Sequence, residues 1–80
     1  MKPDKEALQT EETRLKKLKR IMDFTAALLW QADLTLSEAQ KLVADARERA
    51  LALFPDKGET FDLVYGSRFR RILTEKYHLQ

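Results

Sequence analysis

The stretch Thr60 to Tyr77, TFDLVYGSRFRRILTEKY, constrains this chain more than any other. It holds four of the chain's seven aromatic residues. Phe61, Tyr65, Phe69, Leu73 and Tyr77 follow one another at i+4, and Val64, Arg68 and Ile72 fill the same side at i+3. At 3.6 residues per turn these positions share one broad helix face. A helix with such a face does not stand alone in water, so the rest of the chain must cover it.

The rest of the chain is short. Eighty residues make at most one domain. A chain of this size buries only about 60% of its unfolded surface and is marginally stable without help. The chain has no cysteine and one histidine, His78. Disulfides are therefore excluded, and so is a structural zinc, which needs about four Cys or His ligands. Close helix packing and association with another subunit remain.

Two further helices are legible. From Glu11 the pattern is helical, with one stripe at Leu15, Leu18, Met22, Leu29 and Ala32 and a second at Ile21, Phe24 and Leu28. The stripes merge after Ile21, which makes the second half of this helix apolar over most of its girth. Thr35-Leu36-Ser37-Glu38 reads as a capping box: the Thr35 hydroxyl accepts from the Glu38 N–H, and the Glu38 carboxylate accepts from the Thr35 N–H. Ser37 with Gln40 is a second candidate start. The next helix carries Ala39, Leu42, Val43, Ala46, Ala50, Leu53 and Phe54 on its inner face, and Pro55 stops it. Pro55-Asp56-Lys57-Gly58 is a turn by composition. Gly66 lies inside the third helix, whose i+4 series keeps its phase across it. The expected reason for a glycine there is close approach to the alanine-rich second helix; a kink would fall at the same place.

The expectation is an all-α fold, a three-helix bundle running up-down-up, with helices over roughly 11–33, 36–54 and 59–77. Residues 1–10 read as a frayed or projecting segment, and 11–80 as a single helical domain. No strand pattern, repeat or low-complexity tract occurs.

Catalytic chemistry is poorly represented. Gly58 and Gly66 are the only glycines, and neither opens a helix after a strand, so a phosphate-binding loop is excluded. The hydroxyl groups have only His78 as a histidine base, in a terminal segment. Asp45 with Glu48 and Glu59 with Asp62 are carboxylate pairs at i+3, but Lys41, Arg47 and Arg49 around the first pair mark a solvated face. The reading is a non-enzymatic protein with no cofactor and no metal.

Three features point to binding. Leu15, Leu18, Met22, Leu29 and Trp30 exceed what two short partner helices can cover, and Trp is enriched at interface hot spots. They form the candidate protein interface, for a second copy or another subunit. The run Arg14 to Arg20 has five cations in seven residues, and Arg68, Arg70 and Arg71 lie in the third helix. Lys16, Lys17, Lys19, Arg20, Arg70 and Arg71 are the candidate contacts for an anion or nucleic acid, the alternative reading. Net charge is only +2, however, and nucleic-acid modules carry a stronger basic excess. The longest apolar region, Phe24 to Leu34, is too short and too interrupted to span a bilayer. The start of the sequence has no apolar run of signal-peptide type. A cytoplasmic homo-oligomer or accessory subunit without a membrane role is the resulting expectation.

Overall fold

A computed structural model of the chain describes residues 2–78, with side chains from residue 10 onward. It is an all-α bundle of three helices, as the periodicity predicts. Helix α1 spans Lys2–Gln31 and helix α2 spans Leu36–Leu53. Helix α3 covers residues 58–77 without a break, in three parts: an α-helical start Gly58–Phe61, a π turn Asp62–Gly66, and an α-helical run Ser67–Tyr77.

α1 is longer at its start than its apolar pattern predicts. It begins at Lys2, not near Glu11, and ends at Gln31, short of Asp33. Pro3 falls in the first turn, where its missing N–H has no partner to lose. Asp4 to Thr10 contains no helix breaker, and Glu, Lys, Ala, Leu and Gln are good helix formers. Residues 2–10 thus form the first turns of α1. At 1.5 Å per residue α1 is about 45 Å long and α2 about 27 Å. The molecule measures 53 × 22 × 16 Å, so α1 sets its length.

The capping box at the start of α2 forms as the sequence predicts. The Glu38 N–H donates to Thr35 Oγ1 at 3.1 Å, and the Thr35 N–H donates to Glu38 Oε1 at 2.9 Å. The Thr35 backbone, and then its hydroxyl, hold the Glu38 carboxyl below its ordinary pKa. Ser37 has no capping role, since Thr35 is the N-cap. At the other end the Phe54 N–H donates to the Ala50 carbonyl, and Pro55 follows.

The core joins all three helices. Met22, Ala26 and Leu29 of α1 meet Ala39, Ala46 and Ala50 of α2 and Phe61, Phe69, Ile72 and Leu73 of α3. Phe69, Met22 and Leu29 are the largest side chains wholly out of solvent. Burying each contributes about 1.5–3 kcal/mol. The alanines of α2 keep that helix close to the larger side chains of its neighbours. Among the described residues no buried side-chain nitrogen or oxygen lacks a hydrogen-bond partner.

The π turn explains how one helix presents aromatics at strict i+4 spacing to a single core. In an α-helix each i+4 step drifts by about 40°, so the steps from Phe61 to Tyr77 would spread over about 160°. A π turn inserts one residue and winds the register back by about 100°. Phe61 and Phe69 stay on one side, with ring centroids 6.4 Å apart, and Tyr65 lies 5.7 Å from Phe61. The inserted turn also swings Leu63 and Val64 into solvent, at 71% and 56% exposure. Val64 and Arg68, placed on the core side by ideal 3.6-residue phasing, are both exposed.

The two glycines exchange the roles the sequence suggests. A Cβ on Gly66 would have its nearest neighbours in its own helix, Asp62 Cβ and the Phe61 carbonyl oxygen, both at 3.9 Å. Gly66 therefore permits no close approach to α2; it closes the π turn, and the helix continues from Ser67. A Cβ on Gly58 would lie 3.2 Å from Leu51 Cδ2 of α2. The close approach occurs at the start of α3, where the chain turns back from Pro55.

The end of α1 is latched by the end of α3. α1 carries no basic residue in its last turn. The Lys76 ammonium supplies one from α3, donating to the carbonyls of Leu29 and Ala32, the latter at 2.6 Å. A cation on the carbonyls at a helix C-terminus offsets the negative end of the dipole. Beside it the Tyr77 hydroxyl donates to the Leu34 carbonyl at 2.6 Å, fixing the α1–α2 joint. His78 ends α3 in the left-handed region, at φ 56°, with its N–H on the Thr74 carbonyl.

Candidate protein interface

The apolar stripe of α1 has two fates. Met22 and Leu29 are 1% and 0% exposed, filled around by this chain's own α2 and α3. They belong to the core and offer nothing to a partner of the folded chain, which corrects their place in the candidate interface. Leu18 is half-buried, and Leu15, one heptad before Met22, is 52% exposed. α2 and α3 are shorter than α1, so the stripe runs on past the point where they can cover it.

Leu15 and Leu18 form one wall of a groove of about 360 Å³. Ala50, Leu51 and Phe54 from the end of α2 form another wall, and Phe61, Val64 and Tyr65 of α3 complete it. Glu11 and Lys57 stand among its polar groups. Local chemistry produces this opening. Pro55 ends α2, the turn to Gly58 brings α3 back beside it, and Ala50 fills little space where a larger residue would reach α1. The π turn adds Val64 to the wall.

An ion pair braces this end of the molecule. Arg47 of α2 donates to both carboxylate oxygens of Asp62, at 2.8 and 3.1 Å. Asp62 thereby pairs across helices. The Arg47 hydrogen bond holds the Asp62 carboxyl below its ordinary pKa, and the Arg47 guanidinium is raised in turn. Both side chains are about half exposed, so the pair adds little stability.

The remaining candidates are dispersed. Trp30 is 48% exposed but stands near the latched end of α1, about 22 Å along the helix from Leu15. Lys16, Lys17, Lys19, Arg20, Arg70 and Arg71 are all exposed. Lys17 and Arg20 gather at the α1–α2 seam with Arg49, beside Ile21 and Leu53. Arg70 and Arg71 line neither that seam nor the groove.

Sequence reasoning missed the groove's far walls, Leu51, Phe54 and Val64, and missed Phe24, which is 65% exposed beside Arg20 and Arg49. The surplus of the α1 apolar stripe over what two helices can cover marked the α1 wall. Nothing in the local pattern marked the others, because Leu51 and Phe54 sit in ordinary helical phase. Among the described residues no group of three or more His, Cys, Asp or Glu is placed to hold a metal ion. Among the same residues no helix is long and apolar enough to cross a membrane. No protein-family model, curated protein or solved structure matches the chain.

Proposed function

We propose that this chain is a non-enzymatic helical module that works by binding protein, through the groove at Leu15 and Leu18 and the exposed stretch of α1 from Thr10 to Lys17. One observation carries the reading. Leu15 shares a stripe with Met22 and Leu29, yet it is half exposed while they are wholly buried. A helix that continues its core-facing stripe beyond its own core is built to receive another apolar surface. Mixed apolar walls with a polar rim are the anatomy of protein interfaces. The partner is a second copy or a larger protein of which this chain is an accessory subunit.

The test is capture from source-cell extract with the immobilised chain, beside a Leu15→Glu/Val64→Glu variant that keeps its helical circular dichroism. A protein, this chain included, held by the native chain and released by the variant supports the reading. Equal capture by both, or capture of nothing by either, overturns it.

A nucleic-acid-binding role is favoured by one observation, the meeting of Lys17, Arg20 and Arg49 at one seam. Phosphate contacts would weaken steeply as salt rises. Absence of retention on single- or double-stranded nucleic acid at low salt removes this second reading.

A further inference from the structure

We infer that the outer seam between α1 and α2 is a second docking surface, and that its occupant is an acidic amphipathic helix of another protein. The seam shares no lining residue with the groove at Leu15 and Leu18, so this inference stands apart from the reading of that groove.

Shape sets the kind of occupant. Two hollows, of about 260 and 390 Å³, adjoin at Arg20, Ile21 and Arg49, which line both. Together they run from Lys17 to Thr25 on α1 and from Leu42 to Leu53 on α2. At 1.5 Å per residue that is about 12 to 16 Å, or about two to three turns of a helix. α3 packs against both α1 and α2, yet none of its residues lines either hollow. The seam is therefore the open counterpart of the one that α3 fills. Ala46 and Ala52 are too small to close it. A trough between two antiparallel helices accepts the ridge of a further helix, the arrangement that closes a four-helix bundle.

Side chains set the occupant's chemistry. Ile21, Leu42 and Leu53 are partly buried in the seam, and Phe24 stands beside them 65% exposed. An apolar trough of this length fits a helix with apolar anchors at i, i+3, i+4 and i+7. Lys17, Arg20 and Arg49 edge the trough, against one carboxylate, Asp45. That excess equals the net charge of the whole chain, +2. All three cations are exposed, and among the described residues none belongs to an ion pair. A stripe of apolar residues flanked by Asp or Glu would cover the trough and pair its rim together, with the arginines free to take carboxylates bidentately. A phosphate backbone would meet the cations but leave the aliphatic side chains bare and face Asp45. A membrane surface is flat where the seam is concave.

A synthetic helix tests this, as a hydrocarbon-stapled peptide of about 15 residues with Leu at i, i+3, i+4 and i+7 and Glu on both flanks. Two controls accompany it: one scatters the leucines, and the other replaces Glu by Lys. Titration followed by amide NMR should shift residues 17–25 and 42–53, with the Glu peptide bound about 10-fold or more tighter than either control. Arg20→Glu/Arg49→Glu, at two exposed positions, should weaken the Glu peptide on the order of 10-fold and reverse the preference towards the Lys peptide. Phe24→Ser should weaken it too while leaving the thermal midpoint in place. No binding, equal binding of the scattered control, or shifts centred on Leu15 and Phe54 would overturn the inference, and the last would leave the groove reading standing. Tighter binding of a single-stranded oligonucleotide or of phosphatidylserine vesicles, lost in the same arginine variant, would overturn it in favour of nucleic acid or a membrane. Seam signals that move on dilution of the chain alone would overturn it in favour of a second copy.

Discussion

The two ends of this bundle are built on opposite principles. At the end where α1 meets α2, three devices fasten the helices. Lys76 covers the α1 carbonyls, Tyr77 ties down the joint, and the Thr35–Glu38 box closes the start of α2. At the other end α1 runs on past its neighbours, an apolar groove stands open, and the brace is one half-exposed ion pair. The same α1 stripe is sealed at Leu29 and bare at Leu15. The difference teaches that the fastening contacts are concentrated at one end of the helix, so each end can be altered with little effect on the other.

The largest test of that separation compares two apolar truncations. Phe69→Ala empties the core and should cost about 3–5 kcal/mol in urea unfolding. Leu15→Ala should change stability by no more than about 0.5 kcal/mol at protein concentrations where the chain is monomeric. Comparable losses would erase the distinction between the ends.

Next in size is the latch. Lys76→Met keeps an unbranched side chain one atom shorter but strips the cation from the Leu29 and Ala32 carbonyls. We expect a loss of about 1–3 kcal/mol, and about 1 kcal/mol for Tyr77→Phe, both read from thermal midpoints. A neutral Lys76→Met would mean that water serves those carbonyls equally well.

The capping box sharpens the comparison through pH. Thr35→Ala should cost about 1 kcal/mol. Glu38 and Asp62 both have folded pKa values below their unfolded ones. Their stabilisation is therefore complete above the ordinary carboxylate range, about pH 4 to 5, and is lost as pH falls through the lowered folded values. Stability that falls less on acidification in a Thr35→Ala/Asp62→Asn variant than in the native chain would confirm the sign. An unchanged acid profile would contradict it.

The smallest effect separates the two glycines. Gly66→Ala meets nothing closer than 3.9 Å and should stabilise by about 0.5–1 kcal/mol. Gly58→Ala crowds Leu51 at 3.2 Å and should gain less or lose. Chemical denaturation of the pair decides whether close approach lies at the groove end, as the contacts indicate.

Much of this fold is legible in the residues because its signals are local. The capping box spans four positions, Pro55 ends α2 by chemistry that acts on its own neighbours, and the alanines of α2 declare their face by periodicity. What escaped detection depends on distance. The Lys76 latch joins residues 47 apart in the chain, and Arg47 with Asp62 are 15 apart. The division of the α1 stripe into core at Met22 and Leu29 and groove at Leu15 depends on how far α2 reaches, a relation between helix lengths and not a property of any leucine. The π turn was hidden because i+4 spacing alone looks like ordinary helical phasing. Only the accumulated drift over the whole series signals that a residue must be inserted.

That inserted residue has a consequence for what lengths of chain this fold tolerates. Residues 58–77 hold one position more than a straight α-helix needs to join the same two ends. The surplus sits at Leu63 and Val64, which face solvent. Deleting Val64 should let the turn tighten into plain α-helix, leaving Phe69 and the Lys76 latch where they are. Deleting Thr74 from the regular run instead would rotate everything after it by about 100°, turning Lys76 and Tyr77 off their carbonyls. Thermal melting of the two deletions should find the first folded and the second weakened as much as by loss of the latch. The helix thus carries a spare link, a place where loss of a single residue can be absorbed.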